Sequence, residues 1–229
     1  GSGGHSRKIL ERLDQGRLIA FDRDKDVSRN LIQNDKFLFI QQNYRYIKHF
    51  LKFNGIVEVD GILADLGISS WQIDQADRGF SIRHDGALDM RMDRGQEQKA
   101  EEIVNRYAES KLSDIFYQYG EISNTRRLVA DICQTRKNKP ISSTEELKQI
   151  ALRSAPRGKE NQYLAKVFQA IRIEVNEELE SLRDLLSNGL EVLKPGGRFV
   201  IISYHSLEDR LVKNFFRTGN FEGMPQKDF

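Results

Sequence analysis

The sequence predicts an α/β protein in which a block of helices interrupts a parallel sheet. Four short apolar runs, each followed by polar residues, alternate with segments of helical periodicity, as in parallel strands joined by helices. Residues 96–162 carry helical patterns only. A glycine-rich start, a helix, a strand and then an acidic residue are typical of Rossmann-like nucleotide-binding folds.

The glycine-rich start places Gly3 and Gly4 directly before the first predicted helix. Glycine permits a tight turn and a close approach of the backbone to a ligand. The strand predicted at 17–21 leads to Asp22, which lies 18 residues after Gly4 (22 − 4). An acid at this spacing can accept hydrogen bonds from a nucleoside ribose. The alternative role for Asp22 is a helix N-cap, with Asp24 as a rival.

Two further strands are predicted at 37–41 and 61–66. Tyr44 follows the first of them, where it could pack under the next helix. Asp65 interrupts the second strand near its carboxyl end, which is where open α/β sheets place their ligands. Charged and apolar residues alternate from there to Asp93. This pattern favours a functional segment over a solvated loop, because long unstructured loops in compact domains are usually functional.

The helical block is predicted to contain helices at 100–108, 112–119, 125–135 and 143–152, the last starting with Ser143 and Glu146 spaced as a capping box. From Ile122 to Lys159 there are nine Lys and Arg residues against three Asp and Glu, an excess of +6 (9 − 3). Such an excess attracts phosphate, although an ordinary solvated helical face would have the same composition. The candidate RNA contacts in this stretch are Arg126, Arg127, Arg136, Lys137, Lys139, Arg157 and Lys159.

A long helical stretch at 163–193 returns the chain to the sheet, and a strand is predicted at 199–203. Tyr204 and His205 follow that strand, at the same edge of the sheet as Asp65. His205 is therefore a candidate for a role facing the substrate, with a purely structural histidine as the alternative.

Composition limits the class of protein. The chain has 229 residues with a net charge of +2, and no run reaches the roughly 20 apolar residues of a membrane span. No signal peptide is evident. A single cysteine, Cys133, excludes an internal disulfide framework and indicates a reducing, cytoplasmic setting.

Several long motifs resemble the ribosomal RNA small-subunit methyltransferase H family. They are DLGISSWQ, DRGFS, DGALDMRMD, VFQAIRIEVNEEL and LKPGGRFVIISYHSLEDRLVK. The resemblance implies a Rossmann-like class I methyltransferase domain at 1–95 and 163–229, with an all-helical substrate-recognition insertion at 96–162. It also implies S-adenosyl-L-methionine as cofactor and 16S rRNA of the small ribosomal subunit as partner. The expected target is the exocyclic nitrogen of a decoding-region cytidine.

The resemblance also assigns residue roles. The implied cofactor contacts are Gly3, Gly4, His5, Asp22, Tyr44, Asp65 and Gln72. Where this chain has Trp71, the family commonly has proline.

The chemistry of an exocyclic amine needs no covalent intermediate with the enzyme. It needs an in-line approach to the methyl group and an acceptor that orients the amine proton. Asp65, Ser69 and His205 are the candidates, with proton loss to water as the alternative. Methylation at ring carbon 5 would need an activated thiolate, and Cys133 is poorly placed for that role. No metal site is predicted.

Two other classes of function stay open at this stage. A nicotinamide-dependent oxidoreductase shares the glycine turn and the ribose acid, although the first turn lacks a full G-x-G-x-x-G. A non-catalytic RNA-binding or assembly protein could retain the cofactor pocket.

The ends of the sequence suggest a shortened polypeptide. The chain starts inside the glycine turn and finishes in a polar stretch at Phe229, so both the strand before the turn and a later strand are expected to be missing. Exposed strand edges invite pairing with another chain, such as a homodimer. Cofactor binding is expected to be weaker than in a version extended by about 30 residues at the amino end.

Overall fold

The computed structural model describes residues 3–30 and 32–224, and the side chains of residues 28–30 are outside that description. The expectations for Gly1 and for the polar end of the chain at Phe229 therefore lie outside the described residues. The chain divides into two compact units. The first consists of the described residues up to Ile68 together with those from Glu178 onward, and the second is Ser69–Glu177.

The four strands lie in the order that the sequence predicts, and a run of helices separates the third strand from the fourth. The strands are β1 (Leu18–Phe21), β2 (Phe37–Ile40), β3 (Val59–Asp65) and β4 (Leu193–Ile202). The helices are α1 (Gly4–Arg12), α2 (Ile47–Phe53), α3 (Ser70–Asp74), α4 (Ala100–Arg106), α5 (Glu109–Gln118), α6 (Thr125–Asn138), α7 (Thr144–Leu152), α8 (Glu160–Asn176), α9 (Glu178–Val192) and α10 (Ser206–Thr218). Short 3-10 helices cover Lys25–Asn30, Tyr44–Tyr46 and Ala76–Arg78.

The strands of the first unit are parallel, as predicted, but among the described residues they form two separate two-stranded sheets and not one continuous sheet. Strand β1 pairs with β2, and β3 pairs with β4. Strand β4 begins at Leu193, earlier than the predicted start at residue 199. The predicted turn at 195–197 is accommodated by a register shift between Val59 and Gly61, with Gly196 in the left-handed region at φ 81°.

One hydrophobic core supports both pairs of strands. It is formed by Ile47, Leu51, Ile62, Leu185 and Val192, with Ile19 and Phe21 of β1 and Phe199 and Ile201 of β4 packed against it. Helix α9 lies so close to β4 that a Cβ atom added at Gly189 would be only 2.7 Å from the Phe199 ring. This packing holds α9 against Ile62 and Phe199, which are paired three residues before the carboxyl ends of β3 and β4.

The second unit is wider than the predicted 96–162 insertion. The segment before residue 96 belongs to it because Leu88 donates a backbone hydrogen bond to Ser142 at 2.9 Å and the Met90 side chain is fully buried. Gly86 permits this packing, since a Cβ there would lie 1.9 Å from the Ala76 carbonyl oxygen. At the other end, α8 packs against α4, α5 and α7. The recognition role of 96–162 stays a prediction.

The prediction of a single helical stretch at 163–193 is wrong. The helix breaks at Glu177, which is left-handed at φ 47°. Asn176 explains the break, because its buried side chain accepts from the Met92 backbone N–H at 2.8 Å and donates to the Met90 carbonyl at 2.7 Å. These tertiary contacts override the helical periodicity.

The predicted capping box at the start of α7 is confirmed, and it makes the second unit sensitive to acid. Hydrogen bonds from Lys139, and then from the backbone N–H groups of Ser142 and Ser143, lower the pKa of Glu146 from 4.5 to about 2. A carboxyl group whose pKa is lowered in the folded state stabilises the fold above its unfolded pKa. The stabilisation by Glu146 should therefore be complete above pH 4.5 and be lost as the pH falls towards 2.

Thermal unfolding of the Glu146→Gln variant measures this effect. The difference in melting temperature from the unaltered chain should be largest near neutral pH and vanish towards pH 2. Lys139→Met removes the main hydrogen-bond donor to Glu146. The pKa of Glu146 should then be lowered less, and the pH range over which its stabilisation is lost should become narrower. A difference that does not change with pH would contradict the assignment.

Candidate functional site

Three side chains meet at the carboxyl end of β3. Asp65 is the last residue of that strand. Its Oδ1 atom accepts a hydrogen bond from the Tyr204 hydroxyl at 2.7 Å, and its Oδ2 atom lies 3.1 Å from Nδ1 of His5. The Asp65 side chain is 39% exposed, so the carboxylate remains accessible to a ligand. Its hydrogen bond raises the pKa of Tyr204, which keeps the hydroxyl a donor.

His5 reaches Asp65 from the first turn of α1, which begins at the glycine turn. Gly3 is the N-cap of that helix and is left-handed at φ 77°, a conformation that glycine adopts without strain. A Cβ atom at Gly3 would lie 3.9 Å from the Ile32 side chain, whereas one at Gly4 would meet nothing within 4 Å. The turn therefore lies between the β1–β2 connection and the end of β3, with open space at Gly4.

Asp22 directly follows β1 and begins a tight turn. Its Oδ1 atom accepts from the backbone N–H of Asp24 at 2.9 Å, and Asp24 in turn accepts from Asp26 at 3.0 Å. Asp24, directly before the 3-10 helix Lys25–Asn30, thus takes the N-cap role for which it was the rival candidate, whereas Asp22 has a turn-forming role beside the predicted ribose-binding role. The two roles are compatible for Asp22, because an ionised carboxylate has about four acceptor positions.

Tyr44 begins the 3-10 helix after β2 and packs against the hydrophobic core of the first unit. Burial raises its pKa far above the ordinary value, an effect that the positive charge of Arg23 reduces and the negative charge of Glu178 increases. Tyr44 therefore makes the packing contact that was the alternative to a ligand role, and its implied contact with the cofactor stays a prediction.

His205 is a capping residue at the start of α10. Its Nδ1 atom accepts from the Glu208 backbone N–H at 3.4 Å, and its side chain is only 8% exposed. An accepting Nδ1 places the proton of the neutral ring on Nε2. Within the described part of the chain, Nε2 has no hydrogen-bond partner and lies 3.4 Å from Oε1 of Glu208.

The surroundings of His205 contain two buried carboxylates. Ligand atoms of Glu178, His205 and Glu208 lie within 4.8 Å of one another, close enough to raise the question of a metal ion. A metal bound through Nε2 would require its proton to move to Nδ1 and the capping contact to break. The geometry of His205 therefore fits the capping role better than metal binding.

Ser69 and Gln72 belong to the second unit, where they cap α3 reciprocally. Ser69 Oγ accepts from the Gln72 backbone N–H at 3.3 Å, and Gln72 Oε1 accepts from the Ser69 backbone N–H at 2.9 Å. Trp71, between them, lies 5.6 Å from the guanidinium of the fully buried Arg78. Trp71, at a position where the family commonly has proline, thus makes a cation–π contact with Arg78.

The predicted RNA contacts of the second unit fall into two groups. Arg136 donates to the Val104 carbonyl at 2.9 Å, and Lys139 pairs with Glu146, so both have structural roles. The remaining candidates are exposed: Arg126, Arg127, Lys137, Arg157 and Lys159. Arg126 and Lys137 lie on nearly the same face of α6, about 16 Å apart along its axis.

Tyr204 is the member of the site to which the sequence assigned no role. The available signal was its position, because an aromatic residue directly after a strand lies at the sheet edge where ligands bind. Its hydrogen bond to Asp65 could not be read from the sequence, because it joins side chains 139 positions apart.

Across residues 3–30 and 32–224, every helix is too short or too polar to cross a membrane.

Comparison with known proteins gives one consistent family. Curated proteins named ribosomal RNA small subunit methyltransferase H are similar over the whole chain. The protein from Cytophaga hutchinsonii is 54% identical, and the match covers 77% of its length. Those from Flavobacterium johnsoniae and Bacteroides fragilis (strain YCH46) are 50% and 51% identical, with 76% of each covered. The sequence model of the MraW methylase family matches residues 1–227, and the chain therefore belongs to that family.

Proposed function

We propose that this chain transfers a methyl group from S-adenosyl-L-methionine to the exocyclic N4 amine of a decoding-region cytidine in 16S rRNA of the small ribosomal subunit. The relatives named above are ribosomal RNA methyltransferases. The observation that carries the proposal is the accessible Asp65 carboxylate at the carboxyl ends of parallel strands, which accepts from the Tyr204 hydroxyl and lies 3.1 Å from Nδ1 of His5. A ribosomal substrate implies a cytoplasmic location.

The cofactor would be held by residues of the first unit. Asp22 lies at the end of β1 and can accept from ribose hydroxyls, while the open backbone at Gly4 leaves room for a ligand. When bound, S-adenosyl-L-methionine supplies an electrophilic methyl group. The residues present therefore fit the cofactor that the family name suggests.

Asp65 is the best candidate to orient the substrate amine. The lone pair of a cytosine amine is shared with the ring, so transfer requires a fixed approach and an acceptor for the departing proton. Asp65 is a partly exposed carboxylate, whereas His205 is buried with Nδ1 accepting from the backbone of α10. The Ser69 hydroxyl accepts the capping bond of α3. The geometry therefore favours Asp65 over the other two.

The second unit would contact RNA phosphate through its exposed basic side chains. Phosphate contacts supply affinity without requiring a particular sequence. RNA of the small subunit is thus the proposed partner, and a homodimer stays a prediction from the sequence alone.

Incubation with methyl-labelled S-adenosyl-L-methionine and small ribosomal subunits tests the proposal. Label should enter the RNA in many turnovers per protein chain. Binding of small subunits without methyl transfer would instead support a non-catalytic assembly protein. Tight binding of a nicotinamide cofactor in place of S-adenosyl-L-methionine would support an oxidoreductase.

Replacement of Asp22 by alanine should weaken S-adenosyl-L-methionine binding about tenfold or more. Hydrogen bonds to a charged group contribute about 1.5–3 kcal/mol, and about 1.4 kcal/mol corresponds to a factor of ten. Isothermal titration calorimetry gives the affinity, and Asp26→Ala in the following turn is the control. Equal affinity of the Asp22→Ala variant and the unaltered chain would remove Asp22 from the cofactor site.

A further inference from the structure

Tyr204 holds an aromatic ring at the sheet edge beside Asp65. The residue is 66% exposed, although large aromatic side chains usually bury most of their area. Its hydroxyl donates to Asp65 at 2.7 Å, and its backbone N–H donates to Oε2 of Glu208 at 3.0 Å. The residue is thus fixed at both ends while its ring remains accessible.

Gly67 lets the backbone pass close to this ring. A Cβ atom at Gly67 would lie 3.4 Å from Cδ2 of Tyr204, and the φ of +81° is strained for other residues. The chain after β3 therefore supports the ring without a side chain that would cover it.

A planar base stacked on this ring would bring its amine to Asp65. Stacked rings lie about 3.5–4 Å apart. The exocyclic amine of a pyrimidine projects from the ring edge, as the tyrosine hydroxyl does, so parallel stacking sets the two groups side by side. A carboxylate with about four acceptor positions can bind both.

We propose that Tyr204 is the stacking platform for the target cytosine, and that its hydrogen bond to Asp65 aligns the amine of the base with that carboxylate. This inference rests on the proposed function and adds a residue that contacts the substrate. The ligand of Tyr204 is an unpaired, amine-bearing pyrimidine, since a base inside an RNA double helix cannot stack on a protein side chain.

Two substitutions separate the ring from its hydroxyl. Tyr204→Leu removes the aromatic face, and Tyr204→Phe keeps it while losing the bond to Asp65. Stacking of a base on an aromatic side chain contributes about 1–3 kcal/mol, so Tyr204→Leu should lower kcat/KM for small subunits by about 5- to 150-fold. Tyr204→Phe should lower kcat with little change in KM, because the base still binds but is less well aligned.

The matched control is Tyr117→Leu on α5, where the tyrosine is also 66% exposed. Its kcat/KM should equal that of the unaltered chain, and S-adenosyl-L-methionine affinity should be the same in all variants. Equal kcat/KM for Tyr204→Leu and Tyr117→Leu would overturn the inference. So would Tyr204→Phe being as impaired as Tyr204→Leu, because the ring would then contribute nothing.

A second measurement needs no turnover. A short single-stranded RNA would carry a fluorescent cytidine analogue. The fluorescence of the analogue should be quenched when the RNA binds the unaltered chain or Tyr204→Phe, but not when it binds Tyr204→Leu. Equal quenching by all three proteins would overturn the inference even if methyl transfer occurs. Quenching that depends on Tyr204, without any methyl transfer, would support the stacking site and refute the proposed reaction.

Discussion

Replacement of Asp65 by asparagine should lower kcat for methyl transfer to small ribosomal subunits by about 100- to 10,000-fold, the usual contribution of a positioned proton acceptor. Asparagine has nearly the same shape and can still accept from the Tyr204 hydroxyl, but it has no negative charge to receive the amine proton. Because Asp65 is 39% exposed, the melting temperature should change little.

The matched control for this loss is Asp60→Asn, which lies on the same strand. Asp60 pairs with Lys194 and its side chain is 88% exposed, so the substitution should leave kcat unaltered. If Asp65→Asn retained the full kcat, proton loss to water would be sufficient, and Asp65 would only hold Tyr204 and His5.

Simultaneous replacement of Arg126, Arg127 and Lys137 by alanine should weaken RNA binding and flatten its salt dependence. Each lost phosphate contact reduces the slope of log K against log salt by about 0.7–0.9. Loss of all three contacts should therefore lower the slope by about 2–3. Binding to small subunits at several salt concentrations measures this, and S-adenosyl-L-methionine affinity should not change.

The control for the triple variant is Arg106→Ala on α4 of the same unit. Arg106 is exposed but lies 3.5 Å from Glu102, which offsets its charge, so the salt slope should stay the same. Equal slopes for the triple variant and the unaltered chain would mean that these side chains are only a solvated helical face.

Much of the fold could be predicted because its determinants are local. The apolar runs of β1 and β2 end within one residue of their predicted positions. Ser143 and Glu146 lie three residues apart, and their spacing predicts the start of α7 because the capping-box contact needs no tertiary structure. The same holds for the glycine turn at Gly3, where the backbone itself requires the residue type.

Features that depend on long-range contacts could not be predicted. The break at Glu177 follows from hydrogen bonds between Asn176 and backbone groups more than 80 positions away. The second unit begins at Ser69 because the loop before residue 96 packs on its helices, which hydrophobic periodicity does not record. In the candidate site, the position of Asp65 at a strand end could be predicted, whereas the burial of His205 beside Glu178 of α9 and Glu208 of α10 depends on tertiary packing.

The identity of the modified nucleoside shows whether this chain methylates the N4 amine of cytidine. Small ribosomal subunits that lack the modification would be incubated with the full chain and S-adenosyl-L-methionine, and their 16S rRNA digested to nucleosides for mass spectrometry. The digest should contain N4-methylcytidine, at a yield that Asp65→Asn sharply reduces. A methyl group on ring carbon 5, on a different base or on no base at all would contradict the proposed function.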